Sequence, residues 1–207
     1  MTPQSHFMVV APLAAGREAE LRALLASMTT QPGLADPHHP LLPFALFTQL
    51  HFARFVLLDD ALQADLTTLG LPRLPLPTYL AFMGDCDGSA HACLALMAQR
   101  AGDGLCRIFA HCEGFAQGKD LTTWLLAHDR PLAAAYVNWR GRSVQQIREE
   151  AALQQLLSAR LPRSVDADAR RTHQHLRSVV DTEVAAGRLH LTPPAPTPLG
   201  WRIANLI

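Results

Sequence analysis

The stretch LHFARFVLLDD, residues 50–60, is an apolar run with a histidine and an arginine inside it, and it is typical of a β-strand in an apolar core. A second run, TYLAFMGDCDG at residues 78–88, follows a proline-rich connection and predicts a neighbouring strand. Because side chains alternate across a strand, we expect His51 and Arg54 on opposite faces of the sheet. The two residues therefore do not form a pair unless a bulge intervenes.

The pairing of these two strands decides which polar residues meet. A symmetric antiparallel register about the connection 59–77 places Asp85 opposite His51, and parity puts both on the same face. A carboxylate beside an imidazole fixes its tautomer, which a general base or an oriented ligand requires. We therefore predict His51 and Asp85 as a catalytic pair. The alternative is a satisfied polar pair at the end of a sheet.

Four further elements surround these strands through residue 115. The pattern predicts a strand at 6–13, a helix at 16–28, a helix at 88–102 and a fourth strand at 104–115. Residues 29–49 read as a long irregular loop. The resulting order, β, α, β, β, α, β, is that of a ferredoxin-like plait with an antiparallel sheet, so the predicted fold class is α+β.

Beyond residue 115 the sequence is mostly helical. The predicted elements are a short helix at 118–130, a short strand at 131–141, a helix at 142–162 and a helix at 164–188. Ser143 and Gln146 form a capping-box pattern at the start of the third of these. We accordingly predict a ferredoxin-like α/β domain with a helical extension over 1–161, followed by a C-terminal helix and a proline-rich tail over 162–207.

Composition excludes several classes of partner. The chain has 207 residues and a formal net charge of zero, so there is no electrostatic reason to expect nucleic acid or an anionic membrane. The apolar run at the N-terminus is too short and proline-broken for a secretory signal or a membrane span. We therefore expect a cytoplasmic protein with no nucleic-acid partner and no direct membrane insertion of this segment.

The four cysteines lie within 27 residues but lack the CxxC spacing that is typical of zinc modules. We expect them to be small buried residues and predict no metal site. The alternative is a zinc site that Cys86, Cys93, Cys106 or Cys112 forms with His91 or His111.

Four polar residues are predicted to bind a ligand: Arg54, Asp87, His111 and Glu113. Asp85 and Asp87 alternate onto one face just before a helix that starts near Ser89, where carboxylates can bind a ligand or act only as caps. His111 and Glu113 share a face at the far end of predicted strand four. Within one subunit we expect them to lie at the opposite end of the sheet from Asp85.

Four stretches together resemble a largely uncharacterised bacterial domain related to the dimeric α/β-barrel (ferredoxin-like) superfamily. They are LHFARFVLLDD, FMGDCDGS, IFAHCEGF and GRSVQQIREEAAL, and the resemblance covers roughly residues 5–161. It implies that two plaits pair across their sheets as a homodimeric barrel. The wider superfamily includes cofactor-free monooxygenases and haem-dependent enzymes, but no catalytic residue is carried over from it.

Three functions follow as expectations. The first is a module that binds a small apolar molecule or a protein partner, without a cofactor, in a pocket lined by Phe52, Phe55, Phe82, Met83 and Phe109. The second is an oxygenase or haem-dependent oxidoreductase of the same superfamily, with His51 and Asp85 as its acid–base pair or His111 as a haem ligand. The third is a soluble interaction domain of a larger membrane or multidomain protein, which the apolar ending GWRIANLI suggests.

Overall fold

The computed structural model describes residues 4–58, 61–72, 77–116, 118–133, 142–161 and 168–193. Its strands are β1 (Gln4–Pro12), β2 (Thr29–Gln31), β3 (Leu34–Ala35), β4 (Leu50–Leu58) and β5 (Tyr79–Asp87). Its α-helices are α1 (Glu18–Ser27), α2 (Ala61–Thr68), α3 (Ala90–Phe109), α4 (Leu121–His128), α5 (Val144–Arg160) and α6 (Ala169–Ala185). The fold is therefore α+β, as predicted.

The chain divides into two compact units. The N-terminal unit is Pro3–Val137, and the C-terminal unit is Met1–Thr2 with Asn138–Ile207. The predicted domains, 1–161 and 162–207, stay a prediction. None of the helices in the described part of the chain combines the length and apolar character that crossing a membrane requires.

The N-terminal unit is built on a three-stranded antiparallel sheet in the order β1-β5-β4. The three strands predicted at 6–13, 50–60 and 78–88 are confirmed, because alternating apolar residues there fill one face of the sheet. β2 and β3 form a separate two-stranded hairpin, so the predicted irregular loop at 29–49 is partly wrong. A single turn of 3-10 helix, Phe44–Leu46, precedes β4.

One face of the sheet, which we call the core face, packs against α3. Phe7 of β1 and Phe82 of β5 are fully buried there, and their ring centroids lie 5.1 Å apart. Phe55 of β4 stacks on Phe82 at 4.4 Å, and Phe109 of α3 meets the same ring edge-on at 6.4 Å. These contacts join all three strands to α3 in one aromatic cluster.

The predicted fourth strand at 104–115 is wrong, because α3 continues through Phe109. The buried residues of this segment recur at spacings of three and four, which is the period of a helix. They are Ala101, Gly104, Leu105, Ile108 and Phe109. Two helical segments of α3 meet at a kink at Ala101, where φ is −132° and ψ is 27°, and the second segment continues through Phe109. A ferredoxin-like plait is therefore not confirmed, and in the described residues no sheet closes into a barrel.

Gly104 shows why glycine is present inside this helix. A Cβ atom at this position would lie 1.7 Å from the carbonyl oxygen of Leu41, which is far inside van der Waals contact. Helix α3 and the backbone at Leu41 can approach this closely only because residue 104 has no side chain. The glycine is thus a packing residue rather than a helix terminator.

The C-terminal unit contains α5 and α6. The Ser143 hydroxyl accepts from the Gln146 amide while the Gln146 side chain accepts from the Ser143 amide, so the predicted capping box is confirmed. Helix α6 begins after Asp168, whose carboxylate caps it, and positions 164–167 of the predicted helix lie outside the described residues. Most of the predicted strand at 131–141 also lies outside them.

Candidate functional site

A group of polar side chains occupies the other face of the sheet, which we call the second face, at the end where β1 and β4 begin and β5 ends. Its members are Gln4, His6, His51, Asp85 and Asp87. In β1 and β5 these residues alternate with Phe7, Cys86 and other members of the core face, so strand geometry alone collects them on one side.

The first imidazole–carboxylate pair joins β1 to β5. His6 lies directly opposite Asp85 in the register of the two strands. The Nδ1 atom of His6 is 2.6 Å from Oδ1 of Asp85, a short hydrogen bond between two partly exposed side chains. Sequence reasoning missed this pair, although the facing positions of two antiparallel strands could have revealed it.

The second pair joins β4 to β5. The Nε2 atom of His51 is 2.9 Å from Oδ1 of Asp87 and 3.2 Å from Nε2 of Gln4. Both members of the His51–Asp87 pair are largely buried, with side chains 16% and 12% exposed. These contacts link β1, β4 and β5 at one end of the sheet.

The predicted pairing of His51 with Asp85 is therefore not formed. The register of β4 against β5 shifts between Leu50 and Phe52, which inserts His51 as an extra residue and places Phe52 opposite Asp85. The same bulge turns His51 to the face that Arg54 occupies, which is the exception that the prediction of opposite faces allowed for.

His111 and Glu113 lie away from this group. His111 follows α3 and its carbonyl accepts from the Ala14 amide, while the Glu113 amide donates to Pro12, so both residues are near the far end of β1. His111 is held by its own helix, since Nδ1 donates to backbone carbonyls of that helix's last turn. Its Nε2 atom lies 3.8 Å from a carboxylate oxygen of Glu20.

The cysteines do not add a reactive group to the site. Cys86, Cys93 and Cys112 are buried, as predicted, whereas Cys106 is only partly buried. A hydrogen bond to Cys93 and burial raise the pKa of Cys86, and burial raises the pKa of Cys112 to about 12. The Cys86 and Cys112 thiols therefore stay protonated at neutral pH, whereas the hydrogen bond with Cys86 lowers the pKa of Cys93. In the described residues no group of three or more His, Cys, Asp or Glu side chains could hold a metal ion.

A separate cleft lies beside β4, between that edge strand, α1 and the β2–β3 hairpin. Its volume is about 580 Å³. The lining is mostly apolar and consists of Leu25, Ala26, Met28, Thr29, Gly33, Leu34, Ala35, Phe44, Phe52, Ala53, Arg54 and Phe55. Two of these side chains, Leu34 and Phe52, are about half exposed, at 52% and 46%.

Arg54 is the charged residue in this lining. Its guanidinium lies 5.5 Å from the centroid of the Phe52 ring, and it has no carboxylate partner within the described residues. Two residues of the predicted pocket, Phe52 and Phe55, line the cleft. Phe82 and Phe109 are instead fully buried in the core, so a pocket between sheet and cover lined by them is not formed.

Comparison of the chain with protein-family models, with curated proteins and with solved structures finds no match.

Proposed function

We propose that the N-terminal unit binds a small apolar molecule that carries an anionic group. The apolar part would lie in the cleft beside β4, and the anion would bind Arg54. The observation that carries this proposal is an apolar cleft whose one charged lining residue is a guanidinium without a carboxylate partner in the described residues.

The dimensions of the cleft support this class of ligand. Its volume of about 580 Å³ lies in the range that small-molecule sites occupy in proteins. Such sites are usually walled by apolar and aromatic side chains, with a few polar groups that fix the orientation of the ligand. Phe44, Phe52 and Phe55 supply aromatic walls here, and Arg54 supplies the orienting group.

The guanidinium favours a carboxylate, sulfonate or phosphate ligand over a neutral one. Its planar fork of donors matches the oxygens of such groups, and it stays charged throughout the physiological pH range. A hydrogen bond to a charged group contributes about 1.5–3 kcal/mol when it is protected from water. Because Arg54 is exposed, we expect the lower end of that range, which corresponds to about tenfold in affinity.

Decanoate and its neutral analogue decanamide test the proposal by isothermal titration calorimetry. We expect wild-type protein to bind decanoate, Arg54→Gln to weaken that binding about tenfold, and decanamide binding to be the same in both proteins. Arg100→Gln is the matched control, since Arg100 is also exposed but lies on α3 away from the cleft. Absent decanoate binding, or equal losses in both variants, would refute the proposal.

We also retain the relation to the ferredoxin-like plait and the homodimer as proposals. What supports the first is the order β1-β5-β4, which equals the order of strands one, three and two of a plait. Sedimentation equilibrium would measure the mass of the assembly, and a monomer at micromolar concentration would argue against the homodimer. Four further expectations stay predictions: a protein partner, a haem-dependent or oxygenase activity, a cytoplasmic location and a place in a longer protein.

A further inference from the structure

The polar group on the second face suggests a function that does not depend on the cleft. Asp85 and Asp87 project from one strand, and each binds an imidazole that comes from a different neighbouring strand. Polar groups of this kind cost free energy when they lose water, and apolar residues would stabilise a sheet face at least as well. Stability alone therefore does not account for this group. The two imidazoles differ in which ring nitrogen is hydrogen-bonded, and this difference points to a chemical role for His6.

His51 is bound through the outer atom of its ring. Its Nε2 atom faces both Asp87 and Gln4, so the nitrogen farthest from the backbone is occupied. The nitrogen that remains, Nδ1, lies next to the residue's own main chain. Together with the low exposure of its side chain, this geometry makes His51 a structural link between strands.

His6 is hydrogen-bonded through the other ring nitrogen. Its inner nitrogen, Nδ1, donates to Asp85, so the neutral ring carries its proton there and Nε2 presents a lone pair at the outer end of the ring. Nε2 has no hydrogen-bond partner within the described residues. Asp85 holds the ring orientation and its carboxylate stabilises the imidazolium that forms when Nε2 accepts a proton.

The surroundings of His6 favour direct proton removal from a substrate. The hydroxyl of Ser5 and the thiol of Cys86 share the core-face parity of their strands, so neither side chain is placed to act as a nucleophile that His6 could activate. Of the next residues on the second face, Met8 and Met83 are apolar and lie directly opposite each other, and Arg54 lies opposite Met83 on β4. An apolar molecule with an acidic C–H bond fits this combination of one base and apolar neighbours.

We propose that His6, oriented by Asp85, is a general base that removes a proton from a small apolar carbon acid on the second face. His6 would be the catalytic residue and Asp85 a positioning residue. The proton moves from carbon to Nε2 and then to solvent, and the electron pair of the broken C–H bond stays with the substrate. No oxidant, metal or additional reactant is required.

The probe is 5-nitrobenzisoxazole, which opens when a base removes the hydrogen on its C3 atom. The C–H electron pair completes a nitrile, the N–O bond breaks, and the oxygen leaves as a coloured phenolate. The second-order rate constant is measured near pH 8, where a free imidazole is neutral. We expect His6→Ala to lower it at least about tenfold, which is less than the roughly 10²–10⁴-fold that a well-positioned general base contributes, because the site is not adapted to this substrate.

Three comparisons separate catalysis from structural damage. Added imidazole restores activity to His6→Ala, Asp85→Glu retains more activity than Asp85→Asn, and His51→Gln keeps the wild-type rate while lowering the melting temperature. Arg100→Gln, an exposed change on α3 outside both the polar group and the cleft, also keeps that rate. Wild-type activity no higher than buffer, a His6→Ala rate close to wild type, or an equal loss in His51→Gln would overturn the assignment.

Discussion

Replacing Gly104 by alanine tests how α3 packs against the chain before β4. The added Cβ would lie 1.7 Å from the Leu41 carbonyl oxygen and 2.4 Å from its carbonyl carbon. Both atoms belong to the backbone, so the contact cannot be relieved by rotating a side chain. Gly102, two residues earlier in the same helix, is the matched control because a Cβ there would meet no atom within 4 Å.

The two substitutions are expected to change the free energy of unfolding in opposite directions. Alanine in place of a helical glycine stabilises by about 1 kcal/mol where there is room for it. Overpacking a core contact costs about 1–3 kcal/mol, and a clash with backbone falls at the upper end. We therefore expect Gly104→Ala to lose about 2 kcal/mol net and Gly102→Ala to gain about 0.5–1 kcal/mol.

Urea unfolding followed by far-ultraviolet circular dichroism measures both changes. The midpoint is expected to fall in Gly104→Ala and rise in Gly102→Ala, with little change in the slope of the transition. A Gly104→Ala protein as stable as wild type would contradict the close approach to Leu41. A loss of similar size in both variants would contradict the difference in space around these two glycines.

Two further predictions concern the core and the C-terminal unit. Phe82→Ala removes the ring at the centre of the aromatic cluster and should cost about 3–5 kcal/mol in urea unfolding, whereas a loss below about 1 kcal/mol would contradict its central place. The Thr192 amide donates to Glu149 at 2.6 Å and holds the pKa of that carboxyl below its usual 4.5. The contact is thus complete above pH 4.5 and lost as pH falls through the lowered pKa. The Thr192 amide resonance should move in that acid range in wild type but not in Glu149→Gln, and identical pH profiles would argue against the contact.

The sheet was predictable because its strands carry local signals. Apolar residues alternate along β1, β4 and β5, and turn-forming residues bound them, so position and direction follow from the sequence. The same alternation placed Asp85 and Asp87 on one face. The capping box at Ser143 was equally local, since its two members are three residues apart.

The continuation of α3 was not predictable in the same way. Leu105, Ile108 and Phe109 form a short apolar run that is compatible with either a strand or a buried helix, and the glycines before them favoured a break. The reason for Gly104 is a contact with Leu41, more than 60 residues earlier in the chain. A pattern read along the sequence does not contain that contact.

The geometry of the candidate site could not be predicted, because it depends on a bulge in β4 and on neighbouring elements that the sequence analysis did not predict. One extra residue in β4 moved His51 from Asp85 to Asp87, because a shift of one position changes the partner and the face of a strand residue. The cleft at Arg54 needed α1 and the β2–β3 hairpin as walls, and the sequence had suggested only irregular structure for that hairpin.

The position of a bound anion tests the central proposal most directly. In a protein labelled with ¹⁵N, the Nε–Hε resonance of Arg54 should move when decanoate is added and stay unchanged with decanamide, because only the carboxylate accepts from the guanidinium. Backbone amides that line the cleft, such as those of Leu34 and Ala53, should respond to both compounds. Decanoate binding that shifts other residues and leaves Arg54 unchanged would contradict the proposal.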